Sequence, residues 1–248
     1  MDEVGVIATE QRGLSQVERV VNIFVAPSAT FHDILRSISW WLPFILLSLS
    51  ASGVAFTIQH RVGWQQVVQT QIQMSPAMQN QMASQTPAQQ AKQMQAMAVG
   101  YQVSAYASPL LVLAFSALAA LLLWASFNFG LGARTTYGQN FCLWMYCSLP
   151  HLLADLVTMV RLCFAGSAEG FDLKMPAGTS IGYYFPDVSP WLRTLLASFD
   201  VVAIWALVLL AMGGAIVAKV KKGQAVAVVA GWWLLIVLVG VAATAAFS

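Results

Sequence analysis

The sequence predicts an all-α, polytopic membrane protein: a bundle of five transmembrane helices, with short amphipathic N-terminal helices and a helical outer loop. Charged residues make up only 9% of the chain and apolar residues 58%, whereas a soluble domain averages about 25% charged residues. A bilayer core of ~30 Å needs about 20 apolar residues in a helix. The runs that meet this length are, in approximate bounds, 40–58, 105–131, 142–164, 195–218 and 225–247. They are long and do not alternate, which favours helices over a closed barrel.

Composition and motifs also count against several classes of function. A net charge of +2 provides no strong field to attract nucleic acid. The cysteines, Cys142, Cys147 and Cys163, all fall in one apolar run and do not form a disulfide framework. The acidic N-terminus has no early apolar core, so a cleaved signal peptide is not expected. No phosphate-binding loop and no catalytic triad spacing is present, so we expect neither an enzyme nor a bound cofactor.

The distribution of basic residues predicts the orientation in the membrane. If the N-terminus is cytoplasmic, the basic residues on the inside are Arg12, Arg19, Arg36, Arg134, Lys219, Lys221 and Lys222. Those outside are Arg61, Lys92 and Lys174, with Arg161 and Arg193 at the outer span ends. This asymmetry predicts a cytoplasmic N-terminus and a C-terminus on the outer side.

Residues 1–39 are predicted to be a cytoplasmic arm that precedes the membrane domain of residues 40–248. Ser15 and Glu18 fit a capping box at the start of one amphipathic helix, and a proline ends that helix. Thr30 and Asp33 fit a second box. The arm is interpreted as an in-plane membrane helix or, alternatively, as a docking segment for a partner.

Two long loops are predicted on the outer side, 59–104 and 165–191. Ser75 and Thr86 each precede a proline, which is typical of helix starts, so the first loop is predicted to contain a helical hairpin. Its methionines recur at helical spacing: Met74, Met78, Met82, Met94 and Met97. Thioethers can bind Cu(I), but a methionine stripe at this spacing favours a packing face.

The third span carries ionisable residues, which are costly in a membrane and indicate function or internal pairing. Helical periodicity places Trp144, Cys147, His151, Asp155 and Thr158 on one face. This face is predicted to lie against spans two or four. Asp200 in the fourth span falls at a depth similar to that of Asp155. The resulting hypothesis is an intramembrane polar cluster of His151, Asp155, Asp200, Arg161 and Arg193. Three interpretations of such a cluster are open: a paired structural network, a proton or substrate pathway, or a metal site of Cys147, His151 and Asp155. The first is favoured, because most buried polar groups are hydrogen-bonded to one another.

Two segments carry a resemblance to a known family. IFVAPSATFHDI contains an F-x-x-P-x-x-x-F pattern formed by Phe24, Pro27 and Phe31, followed by Pro43 in the first span. GLGARTTYGQNFCLWMYCSLP places Tyr146, Ser148, Leu149 and Pro150 where the family has a tyrosine shortly before S-L-x-P. In these segments the chain resembles the Yip domain family, five-span membrane proteins first recognised as interactors of Rab-type GTPases, and it is most similar to the bacterial type.

The resemblance implies a non-enzymatic membrane protein that acts in membrane organisation or trafficking, or as a scaffold for other membrane proteins. Its implied partners are the lipid bilayer and other membrane proteins or further copies of itself, and no nucleic acid. The D-L-Y-G-P motif of eukaryotic members is absent, and Met145 stands where a glycine usually precedes the tyrosine. Both departures count against a Rab-type GTPase as partner. The alternative is a small transporter or channel component with a polar site around His151, Asp155 and Asp200.

Overall fold

A computed structural model describes residues 13–164 and 171–247. Within these ranges the chain is helical and has no strand beyond an isolated bridge between Ser180 and Asp200. The helices, numbered in chain order, are α1 Gln16–Val25, α2 Pro27–Arg36, α3 Trp41–Arg61, α4 Trp64–Gln73, α5 Pro76–Ala83, α6 Pro87–Tyr106, α7 Ser108–Ala125, α8 Tyr137–Cys147, α9 His151–Phe164, α10 Pro190–Ala197, α11 Val201–Ala218 and α12 Lys222–Phe247.

Five helical segments are long and apolar enough to cross a membrane, which confirms the predicted fold class. They are Trp41–Arg61, Ser108–Gly130, Tyr137–Phe164, Val201–Ala218 and Lys222–Ala246. The second includes a π-helical turn, Ser126–Gly130, and the third consists of α8 and α9 in succession. We call the end of the bundle formed by residues 37–40, 131–136 and 219–221 the arm end, and the opposite end the loop end.

The third span is interrupted because Pro150 has no backbone N–H to continue a helix. Helix α8 ends at Cys147, and α9 begins at His151 after a tight turn. Pro150 also cannot donate to the carbonyl of Tyr146, four residues earlier, as a helical residue would. Instead, the Leu149 amide donates to that carbonyl at 3.1 Å, so the turn satisfies the group locally.

The fourth span begins later than the predicted residue 195. A separate helix, α10, ends at Ala197, and Asp200 then serves as the N-cap of α11. Its carboxylate accepts from the amides of Val202 and Ala203 at 2.9 and 3.0 Å. An aspartate at this position satisfies two of the amides that a helix start leaves unpaired, and it therefore sets the end of the span.

The helix starts predicted in the first outer loop are confirmed. Ser75 caps α5, and Thr86 forms a capping box with Gln89 at the start of α6. Met82 is buried, while Met94 and Met97 pack against a cluster that includes Trp64. A further helix, α4, was not predicted; it begins after Gly63, whose φ of 81° only glycine adopts readily.

The arm is part of the core of the bundle. Ile23 of α1 and Phe31 and Ile34 of α2 are fully buried in a cluster shared with α8, α11 and α12. The second predicted capping box is wrong, because α2 begins with Pro27 as its first residue. Thr30 instead lies inside α2, where its hydroxyl donates to the carbonyl of Arg19 at 2.9 Å. The two arm helices are thereby joined to each other as well as to the spans.

Candidate functional site

Asp155 is held by the first span. The hydroxyl of Ser50 in α3 donates to the Asp155 carboxylate at 2.6 Å, in a partly buried contact. Helices α3 and α9 run side by side through the bundle, which brings these residues together although 105 positions separate them. Sequence periodicity predicted the face on which Asp155 lies, but the partner predicted for it was on spans two or four.

Two cavities of about 300 Å³ each meet at Asp155. The first lies between the first three spans and is lined by Ala51, Ser108, Ser116, Trp144, Ser148 and His151. The second continues towards the loop end and is lined by Ala51, Ile58, Trp64, Tyr101, Ser108 and Leu173. Span two therefore does border the polar face of span three, as predicted, and His151 and Asp155 open onto one groove.

His151 does not bond to Asp155. Its ring is exposed in the groove, and Nδ1 lies 3.0 Å from the carbonyl oxygen of Ser148 in the preceding turn. Ser148 in turn donates its hydroxyl to the carbonyl of Trp144 at 2.9 Å. The groove thus offers one carboxylate, one imidazole and several hydroxyls along an otherwise apolar wall.

The predicted pairing of Asp155 with Asp200 is wrong. Asp200 caps α11 and also accepts a hydrogen bond from the Thr179 hydroxyl, whereas Asp155 accepts from Ser50. The two carboxylates belong to different networks. The N-cap role explains the difference, since it fixes Asp200 at the loop end outside the helical span.

The arginines predicted for the same cluster pair with the segment 171–200 instead. Arg161 donates to the carbonyl of Pro176 at 2.6 Å and to the Tyr183 hydroxyl at 2.5 Å. Arg193 forms an ion pair with Asp172 at 3.0 Å, and Asp172 is almost completely buried. The contacts of Arg161 fasten this segment onto α9, and the pair of Arg193 with Asp172 joins two parts of the segment to each other.

Asp172 was missed by the sequence analysis. It borders a cavity of about 640 Å³ at the loop end, together with Met74, Lys174 and Arg193. Only the tertiary contact with Arg193 distinguishes Asp172 from an ordinary loop aspartate, so no sequence signal could have identified it. The metal hypothesis has no geometric support: the described residues contain no group of three His, Cys, Asp or Glu side chains that could hold an ion.

The family-motif positions come together where the arm packs against the spans. Phe24 packs edge-on against Trp205 of α11, with ring centroids 5.7 Å apart. Pro27 is the first residue of α2. Phe31 packs against Gly213 in a notch that the missing side chain of this glycine leaves, since a Cβ there would be only 2.8 Å from the Phe31 ring. Each of these residues fixes the arm to the fourth span or sets the direction of its chain.

The motif positions of the third span contribute to the same junction. Tyr146 is fully buried, and its hydroxyl donates to the Gln16 side chain of α1 at 3.0 Å. Pro150 forms the turn between α8 and α9, while Pro43 is buried in the first turn of α3. A tyrosine hydroxyl buried among helices needs such a partner, so the motif tyrosine joins the third span to the arm.

A buried ion pair between the arm helices completes the junction. Arg19 is 1% exposed, and its guanidinium donates to the Asp33 carboxylate at 2.6 Å and to the Ser37 carbonyl at 2.9 Å. Arg36 also donates to Asp33, at 2.8 Å. Burial alone would raise the pKa of Asp33, but the hydrogen bonds from Arg36 and Arg19 outweigh it and lower that pKa below its ordinary value.

Taken together, the fold and the junction define a class: a five-span helical membrane protein whose N-terminal helix pair is locked onto one end of its bundle. The family model of the Yip1 domain matches residues 21–244, nearly the whole chain. The chain therefore belongs to the Yip1 domain family, which is not known as an enzyme family. No curated protein and no solved structure matches it.

Proposed function

We propose that this Yip1-domain protein is a non-enzymatic organiser of the membrane whose arm widens one leaflet. The observation that carries the proposal is a stripe of exposed valines on the docked helix α1. Val17, Val21 and Val25 are 66%, 52% and 72% exposed, although the opposite face of the same helix is buried on the bundle. We call these three residues the valine stripe.

We place the valine stripe at the membrane surface as part of this proposal. Valines four residues apart form one helix face, and the arm leads along the chain into Trp40 and Trp41, whose side chains suit the headgroup layer. A helix held there would bury its apolar face about 5–10 Å into the boundary between headgroups and acyl chains. Because a helix with side chains is about 10–12 Å across, a fixed helix adds area to that leaflet alone.

The loop end also carries exposed apolar residues, among them Val99 and Val103 of α6. Its short helices α4 and α5, however, are rich in glutamine, and the exposed positions of α5 include Gln79 and Gln81. Such glutamine-rich surfaces are suited to water. The contrast between these helices and the valine stripe favours a preference for curved membranes, which is a form of membrane organisation that needs no catalytic site.

Reconstitution into vesicles of different diameters tests the proposal. Labelled protein should be denser on small vesicles than on large ones, and replacing the valine stripe by Val17→Ser, Val21→Ser and Val25→Ser should remove much of this preference. Val99→Ser and Val103→Ser on α6 are the matched control, since these valines are 52% and 61% exposed at the loop end of the bundle. An unchanged curvature preference in the stripe variant, with the arm still resistant to protease, would contradict the proposal.

A second candidate function is a small transporter or channel component. It is favoured by the two cavities that meet at Asp155 within the span region, because an ionisable group in contact with intramembrane space is a candidate relay for protons or polar solutes. In vesicles carrying a pH-sensitive dye, Asp155→Asn should then abolish proton flux without lowering the folded yield. Exposed Asp187→Asn is the control. If Asp155 is only structural, Asp155→Asn should fold better than Asp155→Leu, and no flux should depend on it.

A further inference from the structure

The fourth and fifth spans leave an apolar groove between them along the side of the bundle. Its volume is about 460 Å³. One wall consists of Ile204, Val208 and Met212 of α11, and the other of Lys222, Val226 and Ala230 of α12. Each wall repeats every four residues, so the two walls are parallel ridges of adjacent antiparallel helices.

The two ends of the groove differ in chemistry, one being aromatic and the other basic. Trp233 lies at its far end, held edge-on by Phe199 with ring centroids 5.7 Å apart. Lys222 lies at the arm end, and the same turn carries the exposed Lys219 and Lys221. In the described part of the chain, the ion pairs join arginines to aspartates, and no lysine takes part in one.

We infer that the groove binds one anionic phospholipid from the leaflet at the arm end, with its acyl chain between α11 and α12 and its phosphate at Lys222. The length fits a single leaflet: the eleven helical steps from Lys222 to Trp233 span about 16 Å at about 1.5 Å per step, which is roughly half of a ~30 Å bilayer core. The charge also fits, because basic clusters beside transmembrane helices attract anionic lipids, and the predicted orientation places this cluster in the cytoplasmic leaflet.

The backbone of Lys219 supports the inference independently. Lys219 caps α11 in the left-handed conformation, with φ 54° and ψ 39°, and it is the only non-glycine residue with positive φ among those described. Glycine is the usual residue at such a helix end, because a side chain is strained there. A lysine at this strained position adds a third ammonium group to the turn that carries Lys221 and Lys222.

Native mass spectrometry of the full chain, titrated with phosphatidylglycerol and with phosphatidylcholine, tests this assignment. We expect the wild-type protein to retain phosphatidylglycerol preferentially. Lys222→Gln should weaken phosphatidylglycerol binding roughly fivefold, the effect of one lysine near a lipid surface, and leave phosphatidylcholine unchanged. Ala230→Phe should fill the groove and weaken both lipids. The matched control is Lys92→Gln, an exposed lysine of α6.

The variant Lys219→Gly distinguishes an effect on lipid binding from an effect on folding stability. It should keep or raise the thermal stability, because it relieves the left-handed strain, and at the same time weaken phosphatidylglycerol binding. Equal retention of both lipids by the wild-type protein, or equal effects of Lys222→Gln and Lys92→Gln, would overturn the proposal. A lipid-free dimer that Ala230→Phe dissociates would also overturn it and assign the groove to a second copy of the chain.

Discussion

At the scale of single residues, the junction between arm and bundle depends on a buried charge pair. Arg19 and Asp33 are 1% and 8% exposed at their side chains. Two charges in such a place stabilise a fold only while each compensates the other. The contribution of this ion pair to stability is therefore tested by removing one charge and then both.

We expect Arg19→Met to destabilise the docked arm by about 3–5 kcal/mol, because Asp33 is left buried without its main partner. The double variant Arg19→Met with Asp33→Leu should recover most of that loss. Thermal unfolding in detergent, together with proteolysis of the arm, measures both. Arg36→Gln is the control, since the Arg36 side chain is 54% exposed and its pair with Asp33 contributes little. A double variant as unstable as Arg19→Met would show that the charges themselves are not the cause.

Gly213 provides a second test at this scale. A Cβ on Gly213 would lie 2.4 Å from Leu143 and 2.8 Å from the Phe31 ring, so Gly213→Ala requires the arm or α8 to move. Overpacking of this kind costs about 1–3 kcal/mol, more than the gain in helix propensity of up to about 1 kcal/mol.

Unfolding of Gly213→Ala should therefore occur at a lower temperature, and Phe31→Leu in the same chain should restore part of the loss. Gly223→Ala is the matched control, since a Cβ there would meet open space. Equal stabilities for the two alanine variants would show that Phe31 does not need the notch at Gly213.

At the scale of elements, we expect the attachment of the arm, a pair of helices, to depend on pH. The pKa of Asp33 lies below its ordinary value of 3.8, because the hydrogen bonds from Arg36 and Arg19 outweigh the effect of burial. A lowered pKa in the folded state means that the unfolded arm binds the proton more readily. Its contribution to stability is thus complete above pH 3.8 and declines as the pH falls towards the lowered value.

We expect the arm to become sensitive to pepsin as the pH falls below about 3.8 while the spans stay intact. Asp33→Asn should remove the pH dependence of cleavage and leave the arm equally sensitive throughout the range. The rates are compared with cleavage of a denatured control at each pH, because pepsin itself responds to acid. If Asp33→Asn and the wild-type chain show the same pH profile of cleavage, the pH dependence arises from a group other than Asp33.

At the scale of the whole molecule, the membrane orientation stays a prediction. An odd number of spans places the termini on opposite sides, and the basic residues at the arm end favour the cytoplasm. Reporter fusions should give a cytoplasmic signal in the turn at Lys221 and an external signal after Ser248. The reverse pattern would invert the bundle and would place the valine stripe and the lipid groove in the outer leaflet.

The sequence alone determined the helical membrane fold, the five spans, several helix starts and the family. These features depend on local signals: hydropathy over a bilayer width, and a capping residue beside a proline. The face of the third span that carries Asp155 also followed from the helical period.

Only the tertiary structure decided which polar groups meet. Ser50 with Asp155, Arg193 with Asp172 and Gln16 with Tyr146 are far apart in the chain. Their pairing depends on which helices become neighbours, and periodicity does not encode that. In the sequence, Asp200 falls in an apolar run and therefore resembles an intramembrane acid. It caps a helix instead, because the unpaired amides at the start of α11 donate to its carboxylate. The arm was predicted to be an in-plane membrane helix or a docking segment. Its packing into the core depends on the burial of Arg19, which the pairing with Asp33 makes possible.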